Sequence, residues 1–435
     1  MSIELAGETI EQLLVVGFGV TGRAVCEYAA KHGVSTFLSE KRVLAHEERT
    51  WLEDRGVPYE DGGHTARILS QTGAIVLSPS VPPALALLAE ARRRGKPVYS
   101  EIDLAALVCE ARPIIAVTGT NGKSSVVTLV GDLLRFWGRE APVVGNIGDP
   151  FISVVDDLEG VDAVVVEASS YQLEQSVAFH PRVGVLLNLE PDHLVRHGTM
   201  DAYAAAKGRV FSLQTDADVA ILPRGLGDRF CQGAGRRVFY DDERPSLPDG
   251  AERLSPHQRS NVQAALSASE ALLPGIDRRE VPIGRVVAAL RLPHRMENIG
   301  FVGGVRVIDD SKATNPASTI AALAAIGGRT VLLLGGRVKA AGYEALAGAI
   351  DGSSVRRIVL FGEAANALAE RLGGRPIELA RDVGEAIRAG LEAAQAGDTL
   401  LFSPACSSFD QFRDFEERGE EFTRLIRAQA GFSRS

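Results

Sequence analysis

The sequence predicts an α/β protein of three domains, residues 1–100, 101–291 and 292–435, each built on a mostly parallel sheet wound with helices. Three observations predict it. Short apolar runs alternate with helical stretches along the whole chain, as βαβ units require. Two of the runs end in glycine turns that open helices. Polar residues collect where the runs end, which is where open parallel sheets hold ligands.

The chain has 435 residues, 45% hydrophobic and 24% charged, enough for two to four ordinary globular domains. With 47 basic against 56 acidic side chains the net charge is -9, so no long-range field draws nucleic acid or an anionic membrane. Any anionic ligand must be held by local sites. The four cysteines, Cys26, Cys109, Cys231 and Cys406, show no C-x-x-C pairing, which argues against a thiolate zinc site or a disulfide framework. The opening MSIELAGETIEQ carries no basic leader, and no apolar run approaches the ~18 residues that cross a bilayer. A cytoplasmic protein is expected, a monomer with small-molecule partners only.

The first strand, QLLVVG at 12–17, runs into Gly17-Phe18-Gly19-Val20-Thr21-Gly22 and a helix to about Lys31. A second strand, STFLSE, ends at Glu40, 18 positions past the last glycine. This is a Rossmann-like G-x-G-x-x-G turn, and it fits a dinucleotide with Glu40 on a ribose hydroxyl. It fits another diphosphate equally well, because backbone N–H groups do not read what the phosphates are attached to. A strand AIVLSPSVP (74–82) and a short one near 97–101 complete about four parallel strands.

The central domain opens with a helix over 101–110 and then RPIIAVTGTNGKSSVVT at 112–128. Ile114 to Val117 reads as a buried strand. Gly119, Thr120, Asn121 and Gly122 form a tight turn, and Lys123-Ser124-Ser125 opens a helix. Glycines let N–H groups close on phosphate oxygens, Lys123 adds a charge, and a serine hydroxyl can ligate Mg²⁺. The turn is shorter than the usual G-x-x-x-x-G-K-[ST], and a purely structural glycine turn stays open here. Downstream, VDAVVVE ends at Glu167, a carboxylate placed to hold a cation or to cap a helix. RVGVLLNLEPDH ends the same way at Asp192 and His193. The helix 200–211 carries Lys207 among alanines, so Lys207 either snorkels to water or belongs to a site.

The last domain repeats the rhythm, with strands near 301–309, 330–335, 356–361 and 399–403. Its strand ends carry DDSKATNP, GGRVKAAGY and SPACSSFDQF. Three anion-friendly zones, one per domain, suit a reaction that joins separate anionic molecules.

The segments IAVTGTNGKSS, GNIG, VVEASSYQLE, LNLEPDHLVRHGTMDAYAAAK, LPHRME, DDSKATNP, LLLGG and FSPACSSFDQFRDFEERG occur in this order. In that respect the chain resembles the Mur ligases over essentially its whole length, and the last segment resembles the D-glutamate-adding branch. The resemblance implies a Rossmann-like N-terminal domain for a UDP-linked acceptor, a central ATP-binding domain and a C-terminal amino-acid domain. It implies ATP-dependent joining of D-glutamate to UDP-N-acetylmuramoyl-L-alanine, with two Mg²⁺ ions and closure of the domains before reaction. It places Gly119, Thr120, Asn121, Gly122, Lys123, Ser124 and Ser125 on ATP, with Arg295, Asp310 and Lys312. Ser124, Glu167, His193 and a carbamylated Lys207 would serve the metal ions. Gly19, Val20, Thr21, Ser78 and Pro79 would hold the uridine diphosphate, and Asn146 and Ser169 would line the acceptor's path. Thr314, Lys339, Ser408 and Phe415 would receive D-glutamate. Cys406 reads as a small packing residue beside that site.

Three positions depart from the family pattern: Gln258 in HQRSN, Ser80 where a glycine is usual, and Ser39-Glu40-Lys41. Adenine contact at Gln258 and uracil contacts at 39–41 are therefore not assigned. An NAD-dependent oxidoreductase built on Gly17–Gly22 and Glu40 is the competing reading, and a nucleotide-regulated binding protein a third.

Overall fold

The structure, a computed structural model, describes residues 2–109, 112–241, 247–338 and 342–434. The chain divides into two compact units: residues 1–189, 201–251 and 259–286 form one, and 190–200, 252–258 and 287–435 the other.

The first unit holds two parallel sheets. One has five strands in the order Tyr59–Glu60, Ser35–Ser39, Gln12–Val16, Ala74–Leu77 and Val98–Ser100. Its central strand is buried from Leu13 through Val16, which is why it reads as an unbroken apolar run. The fifth strand, two residues at Tyr59–Glu60, is too short to carry a periodicity. The strand expected over 74–82 stops at Leu77, because the chain turns at Ser78-Pro79. The acidic N-terminal stretch is not featureless: Ile3–Leu5 and Glu8–Ile10 pair antiparallel across Ala6-Gly7, whose φ angles of 50° and 83° suit a tight hairpin turn.

The second sheet orders its strands Arg236–Phe239, Val219–Leu222, Val183–Leu186, Ile114–Thr118, Val164–Glu167 and Val143–Gly145, all parallel. After Val164–Glu167 the chain crosses to the far side of Ile114–Thr118, so the loop leaving Ile114–Thr118 emerges at a topological switch point. The helix Glu101–Val108 joins the two sheets, starting from a Ser100/Asp103 capping box. Its first-turn carboxylates anchor it: Glu101 Oε1 accepts from Ile152 N at 2.7 Å, and Asp103 Oδ1 from Ser176 Oγ at 2.6 Å.

The second unit carries seven strands, in the order Ile377–Ala380, Val355–Phe361, Thr330–Gly335, Thr399–Ala405, Val305–Asp309, Glu297–Val302 and Phe432–Ser433. The first five are parallel and the last two antiparallel. The single strand expected at 301–309 is a hairpin, because Gly303-Gly304, both at positive φ, reverse the chain. The helix expected over 200–211 ends at Gly208 and tightens into a 3₁₀ turn at Arg209–Phe211. Among the described residues no helix is long and apolar enough to cross a membrane.

Candidate active site

In the first unit the phosphate loop forms because glycine alone fits two of its positions. A Cβ on Gly119 (φ 152°) would stand 2.9 Å from Leu187 Cβ, and one on Gly122 (φ 88°) 2.6 Å from Asn261 Oδ1. Asn188 clamps the turn from the neighbouring strand's loop. Thr120 N donates to Asn188 O (3.0 Å), Asn121 N to Asn188 Oδ1 (2.9 Å), and Asn188 Nδ2 back to Asn121 O (3.0 Å). The 14-residue helix Lys123–Phe136 follows with Gly122 as its N-cap and no side chain capping it. Its first N–H groups and positive end thus face the loop, with Ser124 and Ser125 buried in its first turn.

Two ammonium groups converge on one carbonyl. Lys123 Nζ donates to Gly119 O and Thr120 O, both at 2.8 Å, and Lys207 Nζ donates to the same Gly119 O at 2.8 Å. Lys207 is 2% exposed, so the snorkelling alternative is wrong. Alanines around it leave its stem room to reach the loop, and its Nζ also sits 4.7 Å above the Tyr203 ring.

Glu167 ends its strand in register with Val117. Its Oε1 accepts from Asn146 Nδ2 at 2.8 Å, while Oε2 is buried and unpartnered. An anionic oxygen left so is costly, and a divalent cation is the partner its hard charge suits. Glu167, expected at the metal, and Asn146, expected on the acceptor's path, thus stand in direct contact. Ser169 is used differently: its hydroxyl caps the Ser170–Glu174 helix and donates to Gln172 Oε1 at 2.8 Å.

The first glycine turn is closed by its own neighbours. Ser78 Oγ donates to Gly17 O at 2.9 Å, and a Cβ on Gly22 would lie 2.0 Å from Gly17 O. Glu40 Oε2 accepts from Phe18 N at 2.6 Å and Oε1 from Arg42 N at 3.1 Å. That carboxylate serves the turn itself, which removes the acidic partner on which the dinucleotide reading rested. Gly19 and Val20 are exposed, Thr21 and Pro79 half-buried.

In the second unit His193 adopts φ 54° as N-cap of Leu194–His197, with its N–H on Asp192 Oδ1 at 2.8 Å. Asp192 Oδ2 accepts from Asn315 Nδ2 at 3.2 Å. Arg295 Nη2 lies 3.3 Å from His257 Nε2, and burial beside that guanidinium pushes His257 down to about 4, so the imidazole is neutral and accepts. Gln258 shares a capping box with Ser255, its Oε1 accepting from Ser255 N at 3.0 Å. Asp310 is buried, accepts from Ser403 Oγ (2.8 Å) and Met296 N (3.2 Å), and is raised to about 7, chiefly by burial. Lys312 Nζ sits 4.1 Å above the Phe415 ring. Thr314 is half-buried, Ser408 is buried, and Lys339 lies outside the described residues.

Sequence reasoning missed Arg418, a fully buried side chain within the FEERG segment. Its Nη2 donates to Ser311 O (2.7 Å), Nε to Ser311 Oγ (3.0 Å) and Nη1 to Cys406 O (3.0 Å), and burial pushes it down to about 10. It ties DDSK to SPAC. An arginine followed by glycine inside an otherwise solvated helix face is a weak signal. His294, Glu297 and Asp309 also cluster, but three of their four carboxylate oxygens are engaged: Asp309 Oδ2 by His294 Nδ1 (2.7 Å), Oδ1 by Ser311 N (2.9 Å), and Glu297 Oε2 by His294 N (2.9 Å). They form a structural network, and its bond to Asp309 raises His294.

Fold and loop together define a mononucleotide-binding α/β protein whose phosphate loop sits at the switch point of a parallel sheet. The model of the Mur ligase middle domain matches residues 117–231, that of the Mur ligase glutamate ligase domain 294–406, and that of the MurD N-terminal domain 12–87. The chain belongs to the Mur ligase family. It is 36% identical to the UDP-N-acetylmuramoylalanine–D-glutamate ligase of Desulfotalea psychrophila, covering 95% of both chains. It is 37% identical to that of Salinibacter ruber, over 95% of this chain and 96% of the relative. In fold it is similar to the MurF ligase of Thermotoga maritima, solved in complex with ADP, with TM-score 0.60 and 17% identity over 91% of this chain and 96% of that one.

Proposed function

We propose that the protein joins D-glutamate to UDP-N-acetylmuramoyl-L-alanine, coupled to ATP cleavage, in the cytoplasmic assembly of peptidoglycan precursors. The observation that carries this is the loop Gly119–Ser125 with two lysines on Gly119 O and the unpartnered Glu167 Oε2, in a chain whose like-named relatives match over nearly its full length. Residues 1–100 take the uridine diphosphate, 101–291 the ATP and 292–435 the amino acid.

A carboxylate is a poor electrophile, so the acceptor's alanine carboxylate is first phosphorylated by ATP to an acyl phosphate. The amine of D-glutamate then attacks that carbonyl, and phosphate leaves. The loop's N–H groups and Lys123 hold and neutralise the transferring phosphoryl group. Mg²⁺, when bound, supplies charge neutralisation and a template for the oxygens. The unpartnered Glu167 Oε2 supports its role as a ligand, and Ser124, His193 and Lys207 are proposed as the further ligands. Lys123 and Lys207 repel each other across one carbonyl. Carbamylation of Lys207 turns one of the two cations into a carboxylate suited to a metal, which favours the modified form. Arg295, Asp310 and Lys312 are assigned to the nucleotide, and Thr314, Lys339, Ser408 and Phe415 to D-glutamate.

Phosphate release from ATP and Mg²⁺, assayed with each substrate omitted in turn, tests the proposal. Release is expected only when UDP-N-acetylmuramoyl-L-alanine and D-glutamate are both present. Release independent of D-glutamate, or amide product formed without nucleotide, overturns it.

A further inference from the structure

Ala405 ends the strand Thr399–Ala405 at φ 57°, a left-handed conformation that an alanine does not choose. The Ser407-Ser408 loop, assigned to D-glutamate, leaves the sheet directly after this residue. Three of the contacts that hold that loop bear on the bend. Arg337 and Ser407 exchange backbone hydrogen bonds of 2.9 and 3.1 Å, and Arg418 donates to Cys406 O. The third is Tyr343, the first residue of the helix Tyr343–Asp351, whose ring is buried in the core with Leu346 and Cys406. Its hydroxyl donates to Ala405 O at 3.1 Å and lies 3.3 Å from Cys406 Sγ. The first two contacts grip the peptides after the strained residue. Among the described residues, the tyrosine hydroxyl grips the carbonyl of the strained residue itself.

The geometry points to Tyr343 as a positioning residue for the amino-acid substrate: its hydroxyl holds Ala405 in the left-handed conformation that presents Ser407 and Ser408. The inference rests on the D-glutamate assignment for its kinetic consequence, but not for its structural one. Without the hydroxyl, Ala405 relaxes toward negative φ and turns the peptide that aims the loop. A phenylalanine keeps the packing and loses only the latch. Glycine, which adopts positive φ without strain, makes the latch unnecessary at position 405.

The test uses Tyr343→Phe, Ala405→Gly and the double variant of the full chain. Tyr343→Phe is expected to raise the KM for D-glutamate about fivefold, the scale of one net hydrogen bond, with kcat and the KM for ATP unchanged. Hydrogen exchange in the 403–409 segment should speed up about as much. Adding Ala405→Gly should return both to within about twofold of the parent. Unchanged exchange in Tyr343→Phe, a KM for ATP that rises in step with that for D-glutamate, or no recovery in the double variant overturns the latch. If exchange responds and is rescued but the parent does not use D-glutamate, the functional assignment falls and the latch stands.

Discussion

The glycine-rich loop of the first unit and the strand-end loops of the second differ in how far side-chain-bearing residues share their unusual backbone conformations. Around the phosphate loop the left-handed positions belong to glycine, at Gly119 and Gly122. In the second unit glycine shares them with residues that carry side chains: His193, His294, Met296 and Ala405 are four of the five non-glycine residues at positive φ among those described. Glycine makes such a bend at little enthalpic cost, whereas each substituted residue costs about 1–2 kcal/mol and persists only because its surroundings hold it. The contrast teaches that glycine frees the phosphate loop's bends of strain, whereas the substituted bends depend on what grips them: Arg418, Tyr343 and the His294–Asp309 pair.

The largest effect that tests this contrast is on the glycine-built side. Lys207→Ala should lower kcat about a thousandfold without altering the fold, if, as proposed above, the group acts on the transferring phosphoryl and its metal. Partial recovery with a short carboxylate such as formate, followed by product formation, is expected, and full activity in the variant would exclude the metal role. On the gripped side, Arg418→Met leaves Cys406 O and both Ser311 oxygens short of donors. A loss of on the order of 4 kcal/mol in urea unfolding is expected. An unchanged midpoint would show that the strained loops hold themselves.

The next effect concerns the joint between the two sheets of the first unit. Burial raises Glu101 from 4.5 to about 7, and its Oε2 has no partner. Because the folded state binds the proton more tightly, this contribution is fully present below pH ~4.5 and is lost as pH rises through ~7, by about 3 kcal/mol. Glu101→Gln should therefore flatten the stability profile between pH 5 and 8 and be the more stable protein at pH 8. Parallel profiles for the two proteins would mean the carboxylate is charged throughout. The smallest effect is Lys339→Ala, expected to raise the KM for D-glutamate about tenfold with kcat nearly kept. An unchanged KM would remove Lys339 from the amino-acid site.

Legibility in the sequence divides along the same line. Gly119, Gly122 and Lys123 are spaced within one turn, so local pattern and local geometry coincide. Lys207 stood out because a lysine among alanines is a conflict, and the structure resolves it by burying the ammonium on the phosphate loop. The Gly303-Gly304 hairpin was also legible in principle, since a glycine pair between apolar runs is a turn signal, but a continuous apolar reading passed over it. Glu40 left its reading open, because an acid at the right spacing does not say whether it faces a ribose or its own turn. Asn188, Arg418 and Tyr343 carried no local mark, being ordinary residues whose partners lie 67, 107 and 62 positions away.

By itself the sequence determined the α/β class, the phosphate loop and the family, because strand burial and glycine turns are written in composition at short range. Only the tertiary structure decided that Glu167 keeps a bare oxygen, that Lys207 is buried on the loop, and that Ala405 is bent the wrong way for an alanine. Those facts depend on which distant donors arrive at a buried oxygen, and a buried polar atom is either met or left unmet only after the chain has closed around it.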